Sequence, residues 1–190
     1  MWSLHAPEAI ATARLLLRRP TRRDARDIFA RYASDPEVTR YLAWPRHRTL
    51  DETAMFLDFS DREWRRHGCG PYLVFSNAST TLLGSTGLTL EGDQAQTGYV
   101  FARDAWGHGY ATESLQAMVA LAAAQGLERV YALCHVDHRA SAHVLEKCGF
   151  VLEGDRDELY VFPNISSLPQ GVRTYAKTFQ PAPLSVIDHA

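Results

Sequence analysis

Hydrophobic and polar residues alternate along this chain in short runs, and these runs are separated by stretches whose apolar residues recur at helical spacing. Period-two runs bounded by turn residues predict seven strands, near 14–18, 72–76, 82–90, 96–102, 129–134, 159–162 and 172–179. Capping residues and helical periodicity predict four helices, near 21–33, 51–67, 110–125 and 140–148. This order predicts an α/β (α+β) fold in which a mixed central sheet of about seven strands is flanked by about four helices.

Length and composition predict a single globular domain. The chain has 190 residues, of which 46% are hydrophobic and 22% charged, as in an ordinary protein with a sizeable core. No repeat or low-complexity tract divides it. We therefore expect one domain over residues 1–190, with its core at about 13–180 and short extensions at both termini.

The net charge and the cysteine content of the chain exclude some classes of function. A formal net charge of −2 argues against a protein that binds nucleic acid through a broad basic surface. No apolar run is long enough to span a membrane, and the first ten residues lack the features of a signal peptide. Cys69, Cys134 and Cys148 are too few and too scattered for a disulfide framework. We expect a cytoplasmic protein without nucleic-acid or membrane partners; the oligomeric state, including a homodimer, stays open.

A glycine-containing segment stands between the strand near 96–102 and the helix near 110–125. It reads Trp106-Gly107-His108-Gly109-Tyr110-Ala111-Thr112-Glu113. The first N–H groups of a helix lack intrahelical acceptors and lie at the positive end of its dipole, so they can bind phosphate oxygens. The main chain of residues 107–112 can therefore hold a pyrophosphate. The alternative is a tight turn that needs glycine only for its φ angles.

Two motifs give the chain a resemblance to a known family. The first joins Gly98-Tyr99-Val100-Phe101 to the segment 106–113, and the second joins His138-Arg139-Ala140-Ser141 to Val144-Leu145-Glu146-Lys147-Cys148-Gly149-Phe150. In this order they resemble the GNAT superfamily of acetyl-CoA-dependent N-acetyltransferases. Within it, the chain is most similar to the branch that includes the ribosomal-protein N-terminal (alanine/serine) acetyltransferases.

The resemblance implies a cosubstrate and the residues that hold it. Acetyl-CoA would bind with its pyrophosphate on the main chain of residues 107–112, and no metal is implied. The sheet would be splayed between its fourth and fifth strands, 96–102 and 129–134, which leaves room for the pantetheine arm. The cofactor-binding residues implied in this way are Val100, Phe101, Trp106, Gly107, His108, Gly109, Tyr110, Ala111, Thr112, His138 and Ser141.

Acetylation of an amine needs a group that removes the ammonium proton and a donor to the leaving thiolate. Relatives often carry a carboxylate at the position of Gln96, and an amide cannot act as a general base. Ser141 is the candidate donor; alternatively, its hydroxyl satisfies backbone groups of its own helix. Glu158 and His135 are candidate bases; alternatively, they are an exposed strand-end residue and a structural histidine. A water chain to solvent would serve as well.

These features predict an N-acetyltransferase that moves an acetyl group from acetyl-CoA to a primary amine by direct attack in a ternary complex. The acceptor would be a protein N-terminus or a small-molecule amine. Tyr41, Trp44 and the loop 163–170 would frame it, whereas Trp64 is expected to pack in the core.

Two other functions and a metal site are the alternatives. A non-catalytic acyl-CoA-binding sensor would keep the phosphate site without turnover. Gly107-x-Gly109 also begins a dinucleotide-binding fingerprint of oxidoreductases, but Thr112 occupies its third glycine position. The histidines and cysteines between Cys134 and Cys148 match no zinc spacing, so no metal site is expected.

Overall fold

An eight-stranded sheet forms the centre of the computed structural model, which describes residues 5–179 except for the side chains of residues 156–159. Its strands are β1 (Ala9–Ala11), β2 (Leu15–Arg18), β3 (Pro71–Ser76), β4 (Leu82–Glu91), β5 (Gln94–Phe101), β6 (Arg129–His135), β7 (Val151–Val161) and β8 (Pro169–Thr178). Their spatial order is β1-β2-β3-β4-β5-β6-β8-β7. The predicted mixed sheet is confirmed. The additional strand, β1, has three residues, which is too short for a visible alternation.

The sheet opens between β5 and β6. These parallel strands pair at three positions, from Gln94↔Arg129 to Gln96↔Tyr131, although β5 continues to Phe101 and β6 to His135. On its other side β6 pairs with β8 along its whole length. The two strands therefore diverge after the third pair, and one edge of β5 has no strand beside it. The splay expected from the sequence is confirmed.

Four helical regions cover the sheet, at positions close to those predicted. They are α1 (Ala25–Ile28), which continues as a π-helical segment (Phe29–Ala33), α2 (Leu50–His67), α3 (Tyr110–Ala124) and α4 (Arg139–Lys147). The start of α2 has a capping box: the Thr49 hydroxyl accepts the Glu52 N–H, and the Glu52 carboxylate accepts the Thr49 N–H. Within the described residues no helix is long and apolar enough to cross a bilayer.

The apolar face of α3 fixes where the helix begins. Leu115, Met118 and Ala122 are fully buried against the sheet, as the helical spacing predicts. Each side chain of leucine size that is fully buried contributes about 1.5–3 kcal/mol. This packing holds the first turn of α3 shortly after the end of β5, at the mouth of the gap between β5 and β6.

Candidate active site

The turn into α3 has six main-chain N–H groups that meet no acceptor among the described residues. Gly107 and Gly109 both have φ of +76°, a left-handed conformation that favours glycine, and Gly109 is the N-cap of α3. The first hydrogen bond of the helix runs from the Glu113 N–H to the Gly109 carbonyl, at 3.1 Å. Among residues 5–179, no group accepts a hydrogen bond from the N–H groups of residues 107–112. We call this segment, residues 107–112, the amide cradle; it has the free donors that a pyrophosphate requires.

An ion pair that the sequence analysis missed braces the amide cradle. The carboxylate of Glu113 accepts hydrogen bonds from the Thr12 hydroxyl at 2.6 Å, the Arg14 N–H at 2.9 Å and the Arg14 Nε at 2.6 Å. Arg14 Nη1 also donates to the His108 carbonyl at 2.8 Å. Partial burial opposes ionisation of Glu113, but the bonds from Thr12 and Arg14 outweigh it and hold its pKa below the usual value. The start of β2 is thus fastened to the cradle.

Replacing Arg14 with glutamine is expected to weaken coenzyme A binding about three- to tenfold, because the cradle loses its brace and a neighbouring cation. Calorimetric titration with coenzyme A measures this effect. Arg66→Gln, at an exposed arginine of α2, is the control. Unchanged affinity in Arg14→Gln would show that the cradle holds its shape without this bridge.

The open edge of β5 presents main-chain groups to the gap. The Ala102 N–H donates to the Leu83 carbonyl at 2.8 Å, and the antiparallel register pairs Val100 with Ser85. Because hydrogen-bonded and non-hydrogen-bonded pairs alternate, the main-chain groups of Val100 face β4, and those of Tyr99 and Phe101 face the gap. Of the two strand residues named from the sequence, Phe101 therefore turns its N–H, and a carbonyl that accepts the Trp106 indole N–H, towards the gap, while Val100 lines the cavity.

Ser141 and Tyr99 meet across this gap. The Ser141 Oγ lies 2.9 Å from the Tyr99 hydroxyl, which also lies 3.0 Å from the Ser141 carbonyl and donates to it. Burial raises the pKa of Tyr99 far above its usual range, so the phenol stays protonated. Both side chains line the main cavity. Tyr99 was quoted as part of a sequence motif without a role; its partner is 42 residues away, so no local pattern indicates this contact.

The main cavity, of about 660 Å³, runs from this pair towards α2. Tyr41 and Trp44, two of the residues expected to frame the acceptor, line it together with His138, whereas the loop 163–170, also expected there, does not. Trp64 is 6% exposed and donates from Nε1 to the Pro71 carbonyl, which confirms its place in the core. A separate cavity of about 550 Å³ beside the amide cradle is lined by Thr12, Ala13, Arg14, Gly109, Thr112, Glu113, Gln116 and Lys147.

Trp106 closes the turn that leads from β5 to the amide cradle. The Trp106 indole N–H donates to the Phe101 carbonyl at 2.8 Å, and the residue is 44% exposed beside the cradle. Glu158 belongs to β7, and its side chain lies outside the described part of the structure. Its role as a base stays a prediction.

His135 has the lone pair of its Nδ1 occupied, which makes the ring a poor base. Its Nδ1 accepts the Asp137 N–H at 3.1 Å, so the neutral ring carries its proton on Nε2. The ring is 4% exposed. Burial lowers its pKa, although the negative charge of Asp137 has the opposite effect. A buried imidazole with its free lone pair already occupied cannot take a proton from an amine. This geometry argues against His135 as a general base.

His138 is also held neutral. Its ring stacks on Tyr41 with centroids 4.6 Å apart, and burial lowers its pKa to about 4, with a smaller effect from His135. A histidine with this pKa is a weak proton acceptor at neutral pH. Its neutral ring forms part of the cavity wall.

Protonation of His138 is expected to destabilise the fold in acid. The unfolded ring takes up a proton near its ordinary pKa of 6.5, whereas the folded ring does so only near 4. Stability is therefore fully present above pH 6.5 and is lost as the pH falls towards 4, by roughly 1–3 kcal/mol. Urea unfolding at several pH values measures the loss, and His138→Asn should flatten this part of the profile. An equal slope in both proteins would contradict the lowered pKa.

No group of three or more metal-ligating side chains occurs in the described part of the chain. Cys134 and Cys148 are buried and free, and burial raises the pKa of both thiols. The candidate site therefore consists of the amide cradle, the open edge of β5, the Tyr99–Ser141 pair and the cavity beyond them.

Comparison with known proteins gives a consistent result. The model of the acetyltransferase (GNAT) domain matches residues 14–151. The uncharacterized N-acetyltransferase YoaA of Bacillus subtilis is 31% identical over 150 residues, which cover 76% of this chain and 84% of YoaA.

Solved structures agree in fold. RimL, a ribosomal-protein alpha-N-acetyltransferase solved with coenzyme A, has a TM-score of 0.81 at 22% identity, covering 90% of this chain and 98% of RimL. A spermidine N-acetyltransferase from Vibrio cholerae, solved with coenzyme A and spermine, has a TM-score of 0.74 at 20% identity, covering 88% and 96%. With the family model spanning both sides of the β5–β6 gap, the chain belongs to the GNAT family of acetyltransferases.

Proposed function

We propose that this protein transfers an acetyl group from acetyl-CoA to a primary amine by direct attack in a ternary complex. The observation that carries the proposal is the amide cradle: six main-chain N–H groups, free among the described residues, at the end of an open strand edge. Family membership supports an acyltransferase and disfavours the oxidoreductase considered from the sequence. The free cysteines are in keeping with a reducing cytoplasm.

The residues present fit acetyl-CoA. The cradle would hold the pyrophosphate, with Arg14 adding positive charge beside Gly109. The main-chain N–H of Phe101 would donate to an amide carbonyl of the pantetheine arm, much as an added strand does, while the Phe101 carbonyl keeps its bond from the Trp106 indole. Bound in this way, acetyl-CoA supplies an acetyl group activated as a thioester.

The side chains of the gap would then assist the exchange of bonds. As the amine nitrogen bonds to the acetyl carbon, the main-chain N–H of Tyr99 faces the gap and can donate to the oxygen on which charge develops. Ser141, held by Tyr99, donates a hydrogen bond to the sulfur as the carbon–sulfur bond breaks, and the departing thiolate of coenzyme A takes its proton from water. The amine proton leaves to Glu158, our proposed base, or through water to solvent.

A covalent acetyl-enzyme is not part of this proposal. Cys134 lies in the cavity wall, its Sγ donates to the His135 and His138 carbonyls at 3.5 Å, and burial raises the pKa of its thiol. A thiol with a raised pKa supplies little thiolate at neutral pH, so it is a poor nucleophile.

Release of free thiol from acetyl-CoA, measured with a panel of amines and peptides, tests the proposed function. We expect coenzyme A to form only when an acceptor is present, together with an acetylated acceptor detected by mass spectrometry. Tight binding of acetyl-CoA without thiol release for any amine would favour the acyl-CoA sensor.

A further inference from the structure

The main cavity has an aromatic wall. It is built by the loop before α2, by α2 itself and by the end of β7. Its residues are Tyr41, Trp44, Phe56, Phe59, Tyr160 and Phe162, and we call them the aromatic wall. Rings brought together from three parts of the chain give a surface suited to a flat or apolar ligand.

Neighbouring rings hold part of this wall in place. Tyr41 lies 4.6 Å from His138 and 5.0 Å from His135, measured between ring centroids. His135 in turn meets Phe162 edge-on at 4.8 Å, and Phe162 lies 5.9 Å from Tyr160. Because each ring is restrained by the next, this part of the surface exists before a ligand arrives and loses little conformational entropy on binding.

The charges that line the cavity cancel. Among the described lining residues, Glu52 is the one carboxylate and Arg62 the one permanent cation. The Glu52 carboxylate already accepts hydrogen bonds from the N–H groups of Arg48 and Thr49, and these bonds lower its pKa. Three histidines also line the cavity, and burial lowers the pKa of each, so they are neutral at pH 7: His47, His135 and His138. Among the lining residues that the structure describes, a ligand with several ammonium groups would meet no matching set of anions, and the proposed base Glu158 would serve one amine.

Apolar side chains are exposed at the mouth of the cavity. Met55 is 69% exposed and Phe59 40% exposed, both on α2 and both lining the cavity. Exposed apolar residues that flank a cavity mark a surface that a ligand covers.

We propose that the acceptor carries one primary amine on an uncharged apolar or aromatic body, and that polyamines are poor acceptors. This inference rests on the proposed acetyltransferase function. The apolar body would be buried against the aromatic wall, and one ammonium group can lie on ring faces before it loses its proton. A second or third ammonium group would lose its hydration without gaining a carboxylate.

Steady-state kinetics with 2-phenylethylamine, tryptamine, a peptide with N-terminal phenylalanine, putrescine and spermidine test the proposal. We expect kcat/KM for the aromatic amines to exceed that for spermidine by roughly tenfold or more, which is the range that burying an aromatic body provides. The peptide and the free amines distinguish a protein acceptor from a small-molecule acceptor of the same chemistry. Binding of each amine to the coenzyme A-loaded protein is measured in parallel by calorimetry.

A variant that adds a negative charge to the cavity lining gives a second test of the acceptor class. Met55→Glu adds a carboxylate at an exposed lining position, so the ratio of kcat/KM for spermidine to that for tryptamine should rise about tenfold. Leu50→Glu is the control, because Leu50 is an exposed apolar residue of the same helix that does not line the cavity. The control should leave the ratio unchanged; an equal rise in both variants would overturn the proposal.

The two proposals fail in different ways. If spermidine is the best acceptor of the wild-type protein, the acceptor class is wrong while the acetyltransferase function stands. If tryptamine binds better than spermidine but no amine releases thiol, the acceptor surface is correct and the proposed catalysis is wrong. If neither amine class binds the loaded protein, the acceptor class is overturned.

Discussion

Replacing Gly109 with aspartate is expected to reduce coenzyme A affinity at least about 100-fold, or roughly 2.7 kcal/mol. The new carboxylate would stand in the amide cradle, where a phosphate is expected, and like charges repel. A Cβ at this position would lie 3.5 Å from Arg14 Nη2, so the aspartate would also pair with the cation that otherwise favours an anionic ligand. Isothermal titration with coenzyme A measures the loss.

Backbone strain must be separated from the loss of the anion site. Gly109 has φ of +76°. A residue with a side chain in this conformation lowers the free energy of unfolding by roughly 1–2 kcal/mol. Gly126→Asp is a matched control, because Gly126 has φ of +74° after the other end of α3 and a Cβ there meets no atom within 4 Å. Both variants should lose similar stability, and Gly109→Asp alone should lose affinity. A Gly109→Asp protein that is folded and binds coenzyme A normally would refute the assigned cradle.

Ser141→Ala is expected to lower kcat about 100-fold while KM for acetyl-CoA changes little, because the hydroxyl serves the leaving sulfur and not the binding of the cosubstrate. The truncation should leave the local structure intact. Tyr99 keeps the Ser141 carbonyl as an acceptor, at 3.0 Å. Tyr99→Phe should lower kcat by a similar factor, since Ser141 then loses the partner that orients its hydroxyl.

The double variant tests whether the two hydroxyl groups act as one unit. If they do, Tyr99→Phe combined with Ser141→Ala should cost little more than either change alone. Ser34→Ala is the control, because its hydroxyl also bonds a main-chain carbonyl, that of Phe29 at 2.7 Å, but lies outside the main cavity. An unchanged kcat in Ser141→Ala would remove Ser141 from the mechanism and return it to a structural role in α4.

Local patterns were sufficient for much of the fold. The helix predicted near 51–67 is α2, and the capping box of Thr49 and Glu52, which needs only residues three positions apart, places its start at Leu50. The end of α4 is similar: Gly149 has φ of +79°, and the Phe150 N–H returns to the Leu145 carbonyl at 3.1 Å. The bounds of β7 were less accurate. The sequence predicts a strand at 159–162, whereas β7 is Val151–Val161, with register irregularities against β8 that interrupt any simple alternation.

Catalytic chemistry was harder to infer from residue types alone. His135 has an ordinary pKa suited to proton transfer, but the bond from the Asp137 N–H to its Nδ1 makes it a donor. The family resemblance implies the same cofactor-binding role for Val100 and Phe101. The pairing of β5 with β4, however, turns their main-chain groups in opposite directions. In both cases, at His135 and in strand β5, the function depends on a hydrogen-bond partner that the residue type does not specify.

The sequence by itself determined the order of strands and helices and placed free amides at residues 107–112, because caps, glycines and periodicity act over a few neighbouring residues. The tertiary structure decided which distant groups meet there. Arg14 and Glu113 are 99 residues apart, Tyr99 and Ser141 are 42 apart, and the aromatic wall combines three separate segments. Such contacts depend on how strands pair and where the sheet opens, and no local pattern encodes either.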